Sequence, residues 1–181
     1  MNPETVLSDK RKEIVNKWFD AVMAAYPADG AKFFKQTSDP FANPVGSTVH
    51  RCLNELFDQV IQHEMDDAAV RSALDGIVRI QSLQEFKPSK AIEFIFIIKP
   101  TIEKGCRKHI EDKAVRKYLD ALDGNIEYLL KTAFDLYMEC RQKVFLLRAN
   151  HARDRVSQLL IKKGYMQELP EKGENLEDIT G

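Results

Sequence analysis

Four histidines, His50, His63, His109 and His151, and three cysteines, Cys52, Cys106 and Cys140, are the residues of this 181-residue sequence best suited to metal or nucleophilic chemistry. Glu103, Cys106 and His109 follow one another at three-residue steps. On a helix they share a face, so a carboxylate, a thiolate and an imidazole could meet one metal ion. A tetrahedral centre wants a further ligand pair, and none stands at ligand spacing. An HExxH, an EF-hand loop and a Glu-xx-His pair on two helices are also missing. The trio is the metal candidate, but no metal and no cofactor is expected, because a lone histidine does not signal haem either.

Nucleophilic chemistry fares no better. His50 and Cys52 are two residues apart, which on a helix turns their side chains about 200° away from each other. VGST (45–48) lacks the glycines and the lysine of a phosphate loop. No nucleophile, base and orienting group stand together, so catalytic residues are expected to be absent and the protein not to be an enzyme.

Composition narrows the class. Hydrophobic residues make up 44% and charged residues 30%, enough for one packed domain. The net charge of -1 gives no push toward nucleic acid. The cysteines are widely spaced without a CxxC, which reads as reduced thiols. The N-terminal MNPETVLSDKRKEIV is polar, and the longest apolar run, FIFII (94–98), is far short of the roughly 20 residues that span a bilayer. A soluble cytoplasmic protein without membrane insertion is expected.

The elements that must carry any site read as helices. Ser8 can cap a first helix bearing Val15, Trp18, Phe19, Val22 and Tyr26 at i, i+3, i+4 spacing. A short helix holds Phe33 and Phe34. Val45, Val49, Leu53, Leu56, Phe57 and Val60 mark a third, and Asp66 or Asp67 can cap a fourth with Val70, Leu74 and Ile77. A fifth, over 89–110 with Ser89 as cap, is apolar nearly all round and should be buried on most faces. Pro100 lies inside it and predicts a kink, because proline leaves the Phe96 carbonyl without its helical donor. Phe96, Lys99, Pro100 and Thr101 then form a candidate ligand pocket between helices.

The last helix is predicted over 113–163. Val115, Leu119, Leu122, Ile126, Leu129, Ala133, Leu136 and Cys140 alternate steps of four and three, and this phase runs straight through Asp123-Gly124-Asn125. Beyond Cys140 the apolar stripe turns by roughly 140° and continues as Phe145, Ala149, Ala152, Val156 and Leu159. A basic stripe, Arg141, Arg148, Arg155 and Lys162, repeats every seven residues. Gly164 stops the helix. The changed face predicts packing on something other than the main bundle: either partner contacts through Phe145, Val156, Leu159 and the basic stripe, with a second subunit as the simplest partner, or a break near Asn150 that folds the end of the helix back on its own domain. Residues 1–164 read as one helical domain and 165–181 as an acidic, disordered tail.

DPFANPVGST (39–48) is dense in helix-start residues. Asn43 as cap, Pro44 as first helical residue and Gly46 as a close-packing position give a structural reason for the stretch. Asp39-Pro40 can start one more turn, with Phe41 plugging the end of the bundle.

WFDAVMAAYP (18–27), FFKQTSDPFANPVGSTV (33–49), IVRIQSLQEFKPSKAIEFIFIIK (77–99) and AFDLYMECRQKVFLLRAN (133–150) together resemble the RsbRD N-terminal domain family of RsbT co-antagonist proteins. The most specific pieces are DPFANPVG, Phe86-x-Pro88-Ser89-x-Ala91 and FDLYMECR with its LRAN. The resemblance implies an all-α regulatory domain of bacterial stress signalling, globin-like without haem, dimeric, and without catalytic residues. Longer members carry an output module after the last helix. Here only the acidic stretch follows residue 163, so the sequence reads as a stand-alone version.

The expected protein is an all-α bundle of about six helices with a long C-terminal helix. It would be a signalling module that acts through protein partners, as a homodimer with output through that helix. The alternatives are a small-molecule sensor with its ligand beside the kinked helix, and an accessory subunit of an enzyme complex.

Overall fold

The computed structural model describes residues 3–36, 39, 41–84 and 86–165. The acidic stretch after Tyr165 and the expected turn at Pro40 lie outside the described residues. Among the described residues there is no strand. The order is α1 (Pro3–Met23), α2 (Ala28–Gln36), α3 (Pro44–Val60), α4 (Asp67–Leu83), the short α5 (Pro88–Ala91), α6 (Glu93–Gly105), a 3-10 turn (Arg107–His109) and α7 (Lys113–Lys162). The chain divides into two units, Met1–Arg141 and Gln142–Gly181, and α7 supplies helix to both.

In the first unit α3 packs along α4, and α1 packs on α6 and α3. Leu7, Ile14, Trp18, Leu53, Leu56, Phe57, Leu74, Ile77, Ile95 and Ile98 are among the fully buried side chains. Burying side chains of this size contributes about 1.5–3 kcal/mol each. Trp18 needs a partner for its indole N–H, and Nε1 donates to the Phe94 carbonyl at 2.7 Å. Its ring stacks on Phe94 with centroids 6.4 Å apart.

Two helix starts differ from the sequence expectation. The first helix begins at Pro3 rather than at a Ser8 cap, so Ser8 is an exposed mid-helix residue. Val6 and Leu7 are buried, and that burial extends the helix by a turn before the 15–26 stripe. Ser89 is not a cap either. Pro88 is the first residue of α5, Lys87 precedes it without a side-chain cap bond, and Ile92 separates α5 from α6.

α6 also corrects the expectation of burial on most faces. Phe94, Ile95, Ile98, Thr101 and Ile102 form its buried face, while Phe96 is 57% exposed. The helix ends at Gly105 rather than near 110. Pro100, four residues after Phe96, is itself exposed. Proline has no N–H to offer the Phe96 carbonyl, and on this open side of α6 water can take that role.

The part of α7 in the first unit explains its own odd sequence. Val115, Leu119, Leu122, Leu129, Ala133, Leu136 and Tyr137 are buried. Asn125 Nδ2 donates to the carbonyls of Val60 and Gln62 at 2.8 and 2.9 Å. The last carbonyls of a helix have no intrahelical donor, so Asn125 satisfies the end of α3. Asp123 accepts from Lys99 Nζ at 2.5 Å. Asp123-Gly124-Asn125 therefore reads like a turn but works as two cross-links inside a helix. Tyr128 donates to Asp67 at 2.9 Å, and Tyr137 donates to the Phe86 carbonyl.

The described part of the second unit is helix from Gln142 to Lys162. Gly164, at φ 74°, ends it. Gly164 N–H donates to the Ile161 carbonyl and Tyr165 N–H to the Leu160 carbonyl, both at 3.0 Å. This double closure is the Schellman arrangement, and its left-handed residue costs little only for glycine.

Candidate partner-binding helix

The second unit has an amphipathic helix with its apolar side uncovered by any described residue of its own unit. Phe145, Ala149, Ala152, Val156 and Leu159 lie within about 80° of arc at 100° per residue. All five are exposed, Phe145 by 71%, Val156 by 55% and Leu159 by 59%. Their four-three spacing is that of a two-helix seam, and the two alanines at its centre allow close approach of a partner backbone. Arg148, Arg155 and Lys162 run along one edge of this stripe, about 20–60° from its rim, and all three are exposed. Asp154 is the one acidic residue between Gln142 and Gly164. The arrangement can present an apolar strip beside a cationic rail.

Arg141, the first member of the basic stripe, belongs to the first unit. It is half-buried, and its Nη1 donates to the Ser82 carbonyl at 3.4 Å. Sequence spacing alone placed it with the other three. Its neighbours make it different.

The polar groups of the candidate pocket are occupied within the protein. Lys99 pairs with Asp123, and that hydrogen bond is the main cause of the raised lysine pKa. Thr101 is buried and its hydroxyl donates to the Ile97 carbonyl at 2.7 Å. Phe96 and Pro100 are on the exposed side of α6.

Glu103, Cys106 and His109 do not share one helix face. Glu103 is in the last turn of α6, Cys106 follows the end of that helix, and His109 closes the 3-10 turn. Among the described residues, no three His, Cys, Asp or Glu side chains are grouped to hold a metal ion. Cys106 is buried, and burial pushes its thiol pKa up. Cys52 is raised by burial too. His50 instead meets Asn16 and Asn54.

In DPFANPVGST the Asn43 side chain accepts from Gly46 N–H at 2.8 Å and donates to the Phe34 carbonyl at 2.8 Å. Pro44 is the first residue of α3. Phe41 does not plug the bundle. It is 97% exposed, because Asp39 draws the backbone into a turn by accepting from Phe41 N–H at 3.0 Å.

Three further features carried no clear sequence signal. Arg11 clamps α1 to α3, with Nε and Nη2 on the two Asp58 carboxylate oxygens at 2.7 and 2.6 Å and Nη1 on Asn54 at 2.7 Å. Phe134 and Met138, one turn apart on α7, are about half exposed. Tyr26 is buried against Phe34 and Phe86, edge to face, with no partner for its hydroxyl among the described residues.

These observations define a class before a family. The chain is an all-helical domain whose described residues assemble no metal cluster and whose exposed chemistry is an amphipathic helix. A family profile described as the RsbT co-antagonist protein rsbRD N-terminal domain matches residues 12–152. The chain belongs to that family of stress-signalling regulatory domains. No curated protein and no solved structure matches it. No helix among the described residues is long and apolar enough to cross a membrane.

Proposed function

We propose that the chain is a non-enzymatic module of bacterial stress signalling that works in the cytoplasm through protein–protein contacts, pairs as a homodimer, and passes its signal through the C-terminal part of α7. The observation that carries this reading is the exposed stripe of Phe145, Ala149, Ala152, Val156 and Leu159. Soluble proteins rarely leave contiguous apolar strips bare, and such strips mark interaction sites. The seam spacing fits a second helix of the same kind. The family assignment supports a regulatory role.

The test is the mass of the protein in solution. Light scattering should give a dimer, and deletion of residues 145–165 should give a monomer. A monomeric full-length chain would remove the homodimer from this reading and leave a different protein as the partner.

The alternative of a ligand held beside Phe96, Lys99, Pro100 and Thr101 requires Lys99 to leave Asp123 and Thr101 to leave the Ile97 carbonyl. Neither this nor an accessory role in an enzyme complex gains a specific observation.

A further inference from the structure

Six cations crowd the corner of the first unit where α6 turns into α7. Lys104, Arg107, Lys108, Lys113, Arg116 and Lys117 fall between residues 104 and 117 with two acids, Glu111 and Asp112, although the whole chain has a net charge of -1. All six are exposed. None of them has a carboxylate within ion-pair distance among the described residues, whereas Lys17, Arg51, Arg71 and Arg79 hold one at 2.6–2.9 Å. Asp112 is engaged with the start of α7, where its Oδ1 accepts from Ala114 N–H at 2.8 Å. Glu103 and Asp120 border the segment.

The backbone beneath these charges is fixed. Cys106 is buried, His109 N–H donates to the Cys106 carbonyl at 2.7 Å, and Asp112 N–H donates to the His109 carbonyl at 3.0 Å. Gly105 lets α1 close on the end of α6, since an added Cβ would lie 2.9 Å from Ile14 Cγ1. Charges placed in advance cost less to order on binding. Lys104 suits the C-terminal end of α6, but cations are unfavourable at the positive N-terminal end of a helix. α7 nevertheless starts with Lys113 and has no acid in its first turn. Lys113, Arg116 and Lys117 lie within about 100° of arc, turned away from the buried Val115, Leu119 and Leu122. Carboxylates supplied from outside would relieve this mismatch.

Three other anionic ligands fit less well. No large apolar residue is exposed between Phe96 and Phe134 among the described residues, so the corner has no wedge for a lipid surface. Tyr118 is half-buried with its hydroxyl on the Ile61 carbonyl, so it offers nucleic-acid bases no stacking platform. Asp112 already takes the Ala114 N–H that a phosphate at the helix start would need. We propose that the corner docks an acidic surface of a protein partner. Lys113, Arg116 and Lys117 receive carboxylates along α7, and Arg107 and Lys108 extend the contact onto the turn. Such complementary charge steers association and sets orientation. This rests on the protein–protein role proposed above, but it uses a different face and does not require a dimer.

The test titrates the full chain with a labelled oligoglutamate peptide, followed by fluorescence anisotropy and amide NMR. Binding should shift the amides of residues 104–117 and weaken steeply with salt, as the Debye length falls from about 10 Å at 0.1 M to about 3 Å at 1 M. The Arg107→Glu/Arg116→Glu/Lys117→Glu variant should bind about tenfold more weakly. Its Tm should stay within a few degrees, as expected for exposed positions. Its mass in solution should equal that of the wild type, and the Val156→Asp/Leu159→Asp variant should bind the peptide as the wild type does. Failure here is thereby separated from failure of the dimer. Phosphatidylserine vesicles and a single-stranded oligonucleotide are the competing probes. Absence of peptide binding, an unchanged affinity in the charge-reversed variant, shifts centred on 148–162, or equal or tighter binding of either competing probe at the corner would overturn the proposal.

Discussion

Asn43 and Gly46 are fitted to each other at the start of α3. The Asn43 side chain accepts the Gly46 N–H at 2.8 Å, and a Cβ added at Gly46 would lie 2.3 Å from Asn43 Nδ2. The glycine is there because the cap sits over it.

A pair of substitutions separates these contributions. Asn43→Ala should lower stability by about 1 kcal/mol, the usual worth of a cap, and by more insofar as the Phe34 carbonyl loses its donor. Gly46→Ala alone should also destabilise, because the cap must move. In the Asn43→Ala background the same glycine change should turn neutral or favourable, since alanine is a better helix residue by about 1 kcal/mol. Chemical denaturation of the four chains gives the coupling. Additive effects would contradict the fit.

Gly124 offers the opposite case. It lies inside α7, is exposed, and an added Cβ would meet nothing within 4 Å. Gly124→Ala should raise stability by about 1 kcal/mol, equivalent to about 2–4 °C in Tm for a chain of this size. Asn125→Ala, one residue on, should cost about 1–3 kcal/mol, because the Val60 and Gln62 carbonyls lose their shared donor. Thermal unfolding of the two variants should shift in opposite directions.

Most of the helices were legible in the sequence because burial follows a 3.6-residue period there. α3, α4 and the first part of α7 show it plainly. What periodicity could not tell was which apolar residue faces out when the whole helix is apolar. Phe96 has the same neighbours in sequence as Ile95 and Ile98, yet it alone is left bare, since only packing decides the face. Phe41 failed for a different reason. The Asp39 turn aims it at solvent, and no apolar pattern records a turn. The Asx-Pro spacing at Asn43 is a local signal and can be read locally. Arg11 and Asp58 are 47 residues apart, and nothing in either segment announces the other. The apolar stripe after Cys140 could be seen in the spacing, but its partner could not, because the same pattern serves any complementary helix.

Tyr26 is 8% exposed and its hydroxyl has no partner among the described residues. Burial raises its pKa from the ordinary 10.0 to about 12. Tyr26→Phe should therefore be neutral or stabilising by about 1 kcal/mol at pH 7, since an unsatisfied buried hydroxyl is removed. The raised pKa means that the folded protein holds the phenol proton more tightly than the unfolded chain does. That contribution is complete below pH 10 and is lost as pH rises from about 10 to about 12. Stability measured against pH should fall less steeply over this window in the phenylalanine variant. Parallel curves would contradict the assignment.

The claim that the exposed stripe of α7 is the partner face is tested most directly by light scattering of the full-length Val156→Asp/Leu159→Asp variant beside the wild type. Both residues are more than half exposed, so the fold of the chain should survive and Tm should stay within a few degrees, as expected for surface substitutions. A charge in an apolar seam is strongly unfavourable. The wild type should scatter as a dimer and the folded variant as a monomer. A variant that remains a dimer at wild-type concentration would contradict the account.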